Sequence, residues 1–209
     1  ESGTERATEL RISEPTSTAE TPPSIPAALL WLSLACCGSV ILLATTNVMC
    51  RDIAPIPLLW VLPLALYLLS FIVCFGHEHW YKRELFGVLL IAAVGTQVAL
   101  YFYRTTAPLT VQIAQYSFLL TICCFICHGE LVRLKPSARF LTQFYLVVSA
   151  GGALGGVLVT LVAPALFPDY YEFHGGIVAC CLLLLVMYRV EVWACMDHDA
   201  LRAEARRVV

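Results

Sequence analysis

The residues with the most chemical potential lie in one short string, Cys124-Phe125-Ile126-Cys127-His128. The C-x-x-C-H spacing is that of covalent haem attachment, in which two thiols tether the macrocycle and the imidazole takes an axial position. Two facts argue against haem c. The string continues an apolar run rather than an exposed loop, and the charge distribution described below puts it on the cytoplasmic side, opposite to where c-type haem is attached. Cys124 and His128, four residues apart, share a helix face. With Cys127 they are weak candidates for a metal site, but further ligands are not evident. No cofactor and no metal are therefore predicted, and core packing is the default role.

The string runs on into His128-Gly129-Glu130-Leu131-Val132-Arg133. His128, Glu130 and Arg133 form a candidate cytoplasmic polar site at a membrane edge, where ionisable groups bind or couple. Glu130 and Arg133 are three apart and suited to pair on a helix. The competing reading is a helix end with snorkelling charges. A candidate outer site comprises Asn47, Arg51 and Asp52, faced by Glu172 and His174. Such rim groups also serve simply to satisfy one another or water. No nucleophile–base constellation is visible, so the chain is read as non-catalytic.

Gly151, Gly152, Gly155 and Gly156 make two overlapping G-x-x-x-G pairs. Missing side chains let a neighbouring helix approach closely, which marks a packing face; the partner helix belongs either to this chain or to another subunit. Phosphate binding is excluded, because these glycines lie within an apolar run and link no strand to a helix. Gln97, Gln112 and Gln115 are read as interhelical hydrogen bonders.

These residues must be positioned by six apolar runs: Ala27–Met49, Pro57–Phe75, Leu85–Tyr103, Leu109–His128, Phe140–Phe167 and Phe173–Trp193. Each reaches the length needed to cross a hydrocarbon layer of about 30 Å at about 1.5 Å per residue. Lipid offers no partner to open backbone groups, so helices are predicted. The expected fold is an all-α polytopic membrane bundle of about six helices. Residues 1–26 form a disordered cytoplasmic tail, 27–194 the membrane domain and 195–209 a cytoplasmic C-terminal segment. Pro63 is expected to kink the second helix, Pro164 and Pro168 to close the fifth, and Pro55 and Pro57 to bound a tight turn between the first two.

Composition agrees. Of 209 residues, 59% are hydrophobic and 13% charged, against about 45–50% and about 25% in soluble domains. A net charge of −2 leaves no footprint for nucleic acid. Most of the ten cysteines fall inside apolar runs, where cysteine acts as a small hydrophobe, and no disulfide framework is expected. Of the 13 Lys and Arg residues, all but Arg51 and Arg104 lie on one side of the predicted spans. That asymmetry predicts both termini in the cytoplasm.

Several strings, in order, resemble the membrane domain of the fused major-facilitator/spermidine-synthase-like proteins. They are Leu29-Leu30-Trp31-Leu32; Thr46-Asn47 with Asp52-Ile53-Ala54-Pro55; and Pro57-Leu58-Leu59-Trp60-Val61-Leu62-Pro63-Leu64-Ala65-Leu66-Tyr67-Leu68. Further along come Cys127-His128-Gly129-Glu130-Leu131 with Pro136, then Leu141-Thr142 and Phe144-Tyr145-Leu146, then the glycine pairs with Ala163-Pro164. The resemblance covers about residues 27–175. It implies a bacterial inner-membrane module that precedes a soluble aminopropyltransferase-like domain, which has no counterpart in these residues, so the activity in the family's name cannot reside here. It also makes the haem-like string incidental. The expected role is a non-catalytic module that anchors a partner, either other membrane subunits or a soluble domain, within the lipid bilayer. A small-solute, polyamine-like transporter is the first alternative and an electron-transfer subunit the second.

Overall fold

A computed structural model describes residues 23–50, 58–77, 80–102, 108–166 and 171–207, with side chains described as far as Glu191. The described residues are almost wholly helical and contain no strand. The main helices are α1 (Ile25–Val48), α2 (Val61–Gly76), α3 (Arg83–Phe102) and α4 (Leu109–Arg133). A short 3₁₀ turn, Ala138–Phe140, then leads into α5 (Leu141–Val157), the π-helical segment Leu158–Val162, α6 (Ala163–Leu166) and finally α7 (Tyr171–Arg207). Among the described residues, five spans are long and apolar enough to cross a membrane: Ile25–Val48, Arg83–Leu100, Leu109–Arg133, Ala138–Leu166 and Tyr171–Glu191. The sixth apolar helix, α2, has only 16 residues.

The helix ends follow local chemistry. Ser24 caps α1 by accepting a hydrogen bond from the Ala27 N–H at 3.4 Å, with Pro26 in the first turn. Ile25 and Pro26, read from sequence as tail, thus open the helix; residues 1–22 lie outside the described residues, as do Pro55, Pro57 and Pro168. The expected kink at Pro63 does not arise. Because α2 begins at Val61, Pro63 occupies the first turn, where backbone N–H groups have no intrahelical acceptor and none is lost. Nor does Pro164 close the fifth run. It lies inside α6, and the chain passes through it by widening to the π-helical segment just before, while Thr160 Oγ1 donates to the Gly156 carbonyl at 2.8 Å. The fourth helix runs a turn beyond its predicted end and carries Gly129, Glu130 and Arg133 within it.

α1 and α4 form the centre of the bundle. α1 packs on α5, α4 and α7, while α4 also holds α2 and α3. Gly151 and Gly155 of α5 lie directly on the α1 backbone: a Cβ at Gly151 would sit 2.5 Å from the Leu32 carbonyl oxygen, and one at Gly155 2.6 Å from that of Cys36. Gly152 only approaches Ser39 Oγ, and Gly156 faces open space. One of the two glycine pairs therefore makes the close approach, and its partner is in the same chain.

Ring and polar contacts define one end of the bundle. Trp31 of α1 donates its indole N–H to the Leu134 carbonyl at 3.1 Å and meets Phe144 of α5 edge-on. Phe75 near the end of α2 approaches the same Phe144. The starts of α1 and α5 thus lie with the ends of α2 and α4, and the contact of Arg83 with Glu130 brings the start of α3 to the same end, so these helices alternate in direction. At the opposite end Tyr116 of α4 meets Phe173 of α7, and Gln115 bridges to the Ala93 carbonyl and Thr96 hydroxyl of α3.

The outside of the bundle is apolar: Leu68, Leu69 and Ile72 on α2, Val88 and Ile91 on α3 and Leu182 on α7 are among many large exposed hydrophobics. A surface this apolar matches hydrocarbon rather than water.

Candidate functional site

Glu130 is fully buried at the α4 end of the bundle. Its carboxylate receives a bidentate pair from Arg83, Nε to Oε1 at 2.7 Å and Nη2 to Oε2 at 2.5 Å. Tyr81, just before α3, donates its hydroxyl to Oε1 at 2.8 Å. Gly129 permits this approach: a Cβ there would lie 2.3 Å from the Tyr81 ring, so only hydrogen allows the ring to lie flat on α4. Arg83 continues to α7, where Nη1 pairs with Glu191 and the guanidinium lies 5.4 Å from the centre of the Tyr188 ring. Glu191 in turn accepts from Arg133 Nη2 at 2.9 Å. Two anions and two cations therefore close a neutral network across α3, α4 and α7.

This arrangement differs from the expected pairing. Arg133 bonds Glu191 rather than Glu130, because Arg83 already occupies both carboxylate oxygens. Burial, reinforced by the neighbouring Glu130 charge, keeps the Tyr81 phenol protonated well above its ordinary range.

His128 belongs to another environment. Its Nδ1 lies 3.0 Å from Ser70 Oγ of α2, and the rings of Tyr67 and Phe71 meet it edge-on at 4.8 and 5.3 Å. Two residues along a helix turn a side chain by about 200°, so His128 faces α2 while Glu130 faces α3 and α7. The expected three-residue cytoplasmic site is thus two separate arrangements.

Cys124 and Cys127 are also fully buried. The Cys127 sulfur meets those of Cys37 on α1 and Cys180 on α7, all three within 4.8 Å of one another. The C-x-x-C-H string is thus distributed over packed helix contacts. In the candidate outer site, Arg51 and Asp52 lie outside the described residues; Asn47 is half-buried near the end of α1, Glu172 lies in the first turn of α7, and His174 packs edge-on against Phe173.

Sequence reading missed Arg83, Tyr81 and Glu191. In the sequence Lys82-Arg83 is a pair of basic residues in the link between two apolar runs, and Glu191 is 108 residues from Arg83. It also treated Cys37 and Cys180 as isolated small hydrophobes. A signal was present: the pairs Cys36-Cys37, Cys123-Cys124 and Cys180-Cys181 recur in three different runs. Two grooves among the described residues are apolar and external, one between α2 and α4 beside Leu62, Ile113 and Phe118, the other along α7 beside Leu185 and Val190.

None of the protein-family models, curated proteins or solved structures compared with this chain matches it.

Proposed function

We propose that the chain is a non-catalytic membrane module that anchors a partner. It crosses the bacterial inner membrane six times, with both ends in the cytoplasm, and presents α7 as a helical arm on that side. The observation that carries this reading is the length of α7. It has 37 residues, while its apolar span, Tyr171–Glu191, has 21. At about 1.5 Å per residue the remainder extends roughly 24 Å further along the helix axis. The Arg83–Glu130–Glu191–Arg133 network grips α7 where the arm begins, which suits a lever or tether.

The charge asymmetry supports the orientation, since Lys82, Arg83, Arg133, Lys135 and Arg139 lie at the network end. The alternating helix directions support six crossings, with α2 as the short one. The resemblance to spermidine-synthase-like fusions supports a soluble partner on the arm side. Transport draws less support: Pro63 leaves α2 unbroken, and the Glu130 charge is already neutralised by Arg83.

The test is isolation of the chain from its native membrane in mild detergent, with and without truncation after Glu191. Partners that travel with the full chain and are lost on truncation support the reading. An unchanged set of partners, with a still-folded bundle, overturns it.

A further inference from the structure

The bundle brings three thiols to one point from three different helices. Cys37 is near the middle of α1, Cys180 near the middle of the α7 span, and Cys127 on α4. All three are buried, at 4%, 0% and 0% exposure, and each sulfur lies within 4.8 Å of the other two. Small residues make this convergence feasible. Gly38 brings α1 to within 3.7 Å of Cys127 Cβ, measured from the position a Cβ would take, and at Gly176 the same position lies 2.9 Å from Ile41 Cγ1. Side chains as short as cysteine meet only where helix axes approach this closely.

We propose that Cys37, Cys127 and Cys180 form a membrane-embedded site for a soft univalent metal ion of the Cu(I) type. The donor set selects the class of ion. Three sulfurs converge, and the Gly176 carbonyl lies 3.7 Å from Cys37 Sγ. Hard cations such as Mg²⁺ and Ca²⁺ require shells of oxygen. Zn²⁺ is most often held tetrahedrally by four ligands, whereas Cu(I) favours thiolates and accepts two or three of them.

Each thiol that becomes a thiolate ligand releases one proton, which passes to the aqueous phase, and no oxidant or reductant takes part. The competing account treats the cysteines as small hydrophobes that only fill space. It requires no particular meeting of their sulfurs, whereas here three from three different helices lie within 4.8 Å of one another.

The experiment uses the full chain in detergent under anaerobic, reducing conditions, titrated with Cu(I) against a chromophoric Cu(I) chelator. Cys50→Ala and Cys195→Ala are included to remove thiols outside the cluster. The expected result is one equivalent bound, with an X-ray absorption spectrum showing sulfur neighbours only. Cys37→Ala, Cys127→Ala and Cys180→Ala should each weaken binding by at least about 100-fold, since even outer-shell changes cost about 10–100-fold. Cys74→Ala and Cys181→Ala should leave it unchanged. Should the alanine variants fail to fold, the unsubstituted cluster still decides. Absence of tight Cu(I) binding, nitrogen or oxygen in the shell, or equal or tighter binding of Zn²⁺ overturns the proposal.

Discussion

Glu130 accepts three hydrogen bonds, two from Arg83 and one from Tyr81, while lying fully out of contact with solvent. Removing one partner of a buried pair leaves an uncompensated charge, which costs about 3–5 kcal/mol. Glu130→Leu alone should therefore destabilise the bundle by about that amount in a denaturant titration. The double change Arg83→Met with Glu130→Leu should cost markedly less, because no buried guanidinium is then left without its Glu130 partner, although the exposed Glu191 loses its Arg83 contact. Equal losses in the single and double variants would count against a coupled pair. Tyr81 allows a pH test. Its phenol is held protonated above its ordinary range, by burial first and the Glu130 charge second. In the unfolded chain the group loses its proton near pH 10. Above that pH the folded state holds more protons than the unfolded one, so stability falls as pH rises. Thermal melts from pH 8 to 11 should show this alkaline loss in the unaltered chain and a shallower one in Tyr81→Phe.

At the scale of elements, α5 is held against α1 by two glycines whose absent side chains leave room for carbonyl oxygens. Backbone does not yield as a flexible side chain does, so adding a methyl group must push the helices apart. Gly151→Ala and Gly155→Ala should each cost about 1–3 kcal/mol, as overpacking does. Gly156→Ala meets open space and should fall within about 0.5 kcal/mol of the original. Unfolding measured side by side for the three variants checks the order; a comparable loss at Gly156 would contradict the geometry. The same reasoning applies to Gly129, where alanine would drive Tyr81 off α4 and break its bond to Glu130. The π-helical segment before Pro164 has a separate role: it lets one span continue through a residue that would otherwise end it.

Across the whole molecule, the helices alternate in direction, and the end holding the buried charge network also holds most of the basic residues near the membrane edge. With six crossings the two termini share a side; if α2 failed to cross, they would lie on opposite sides. Fluorescent-protein and alkaline-phosphatase fusions at each terminus distinguish these cases. The expected outcome is fluorescence and no phosphatase activity at both ends.

The approximate position and helical nature of the apolar segments were legible in the residues themselves, because lipid leaves the backbone no other way to satisfy its polar groups. So were the close approach at Gly151 and Gly155 and the need of Glu130 for a partner, since an ionisable group at a membrane edge is costly alone. The identity of that partner was not legible. Arg133 was nearest along the chain, but the burial of α3 and α7 against α4 brought Arg83 to the carboxylate and Glu191 to both arginines. Pro63 and Pro164 were read by type, whereas their effect depended on where each helix began and how it widened. The meeting of Cys37, Cys127 and Cys180 likewise appeared only once α1, α4 and α7 were packed. A helix's period is written in its own segment, but which faces meet is settled by the collective fit of all the helices.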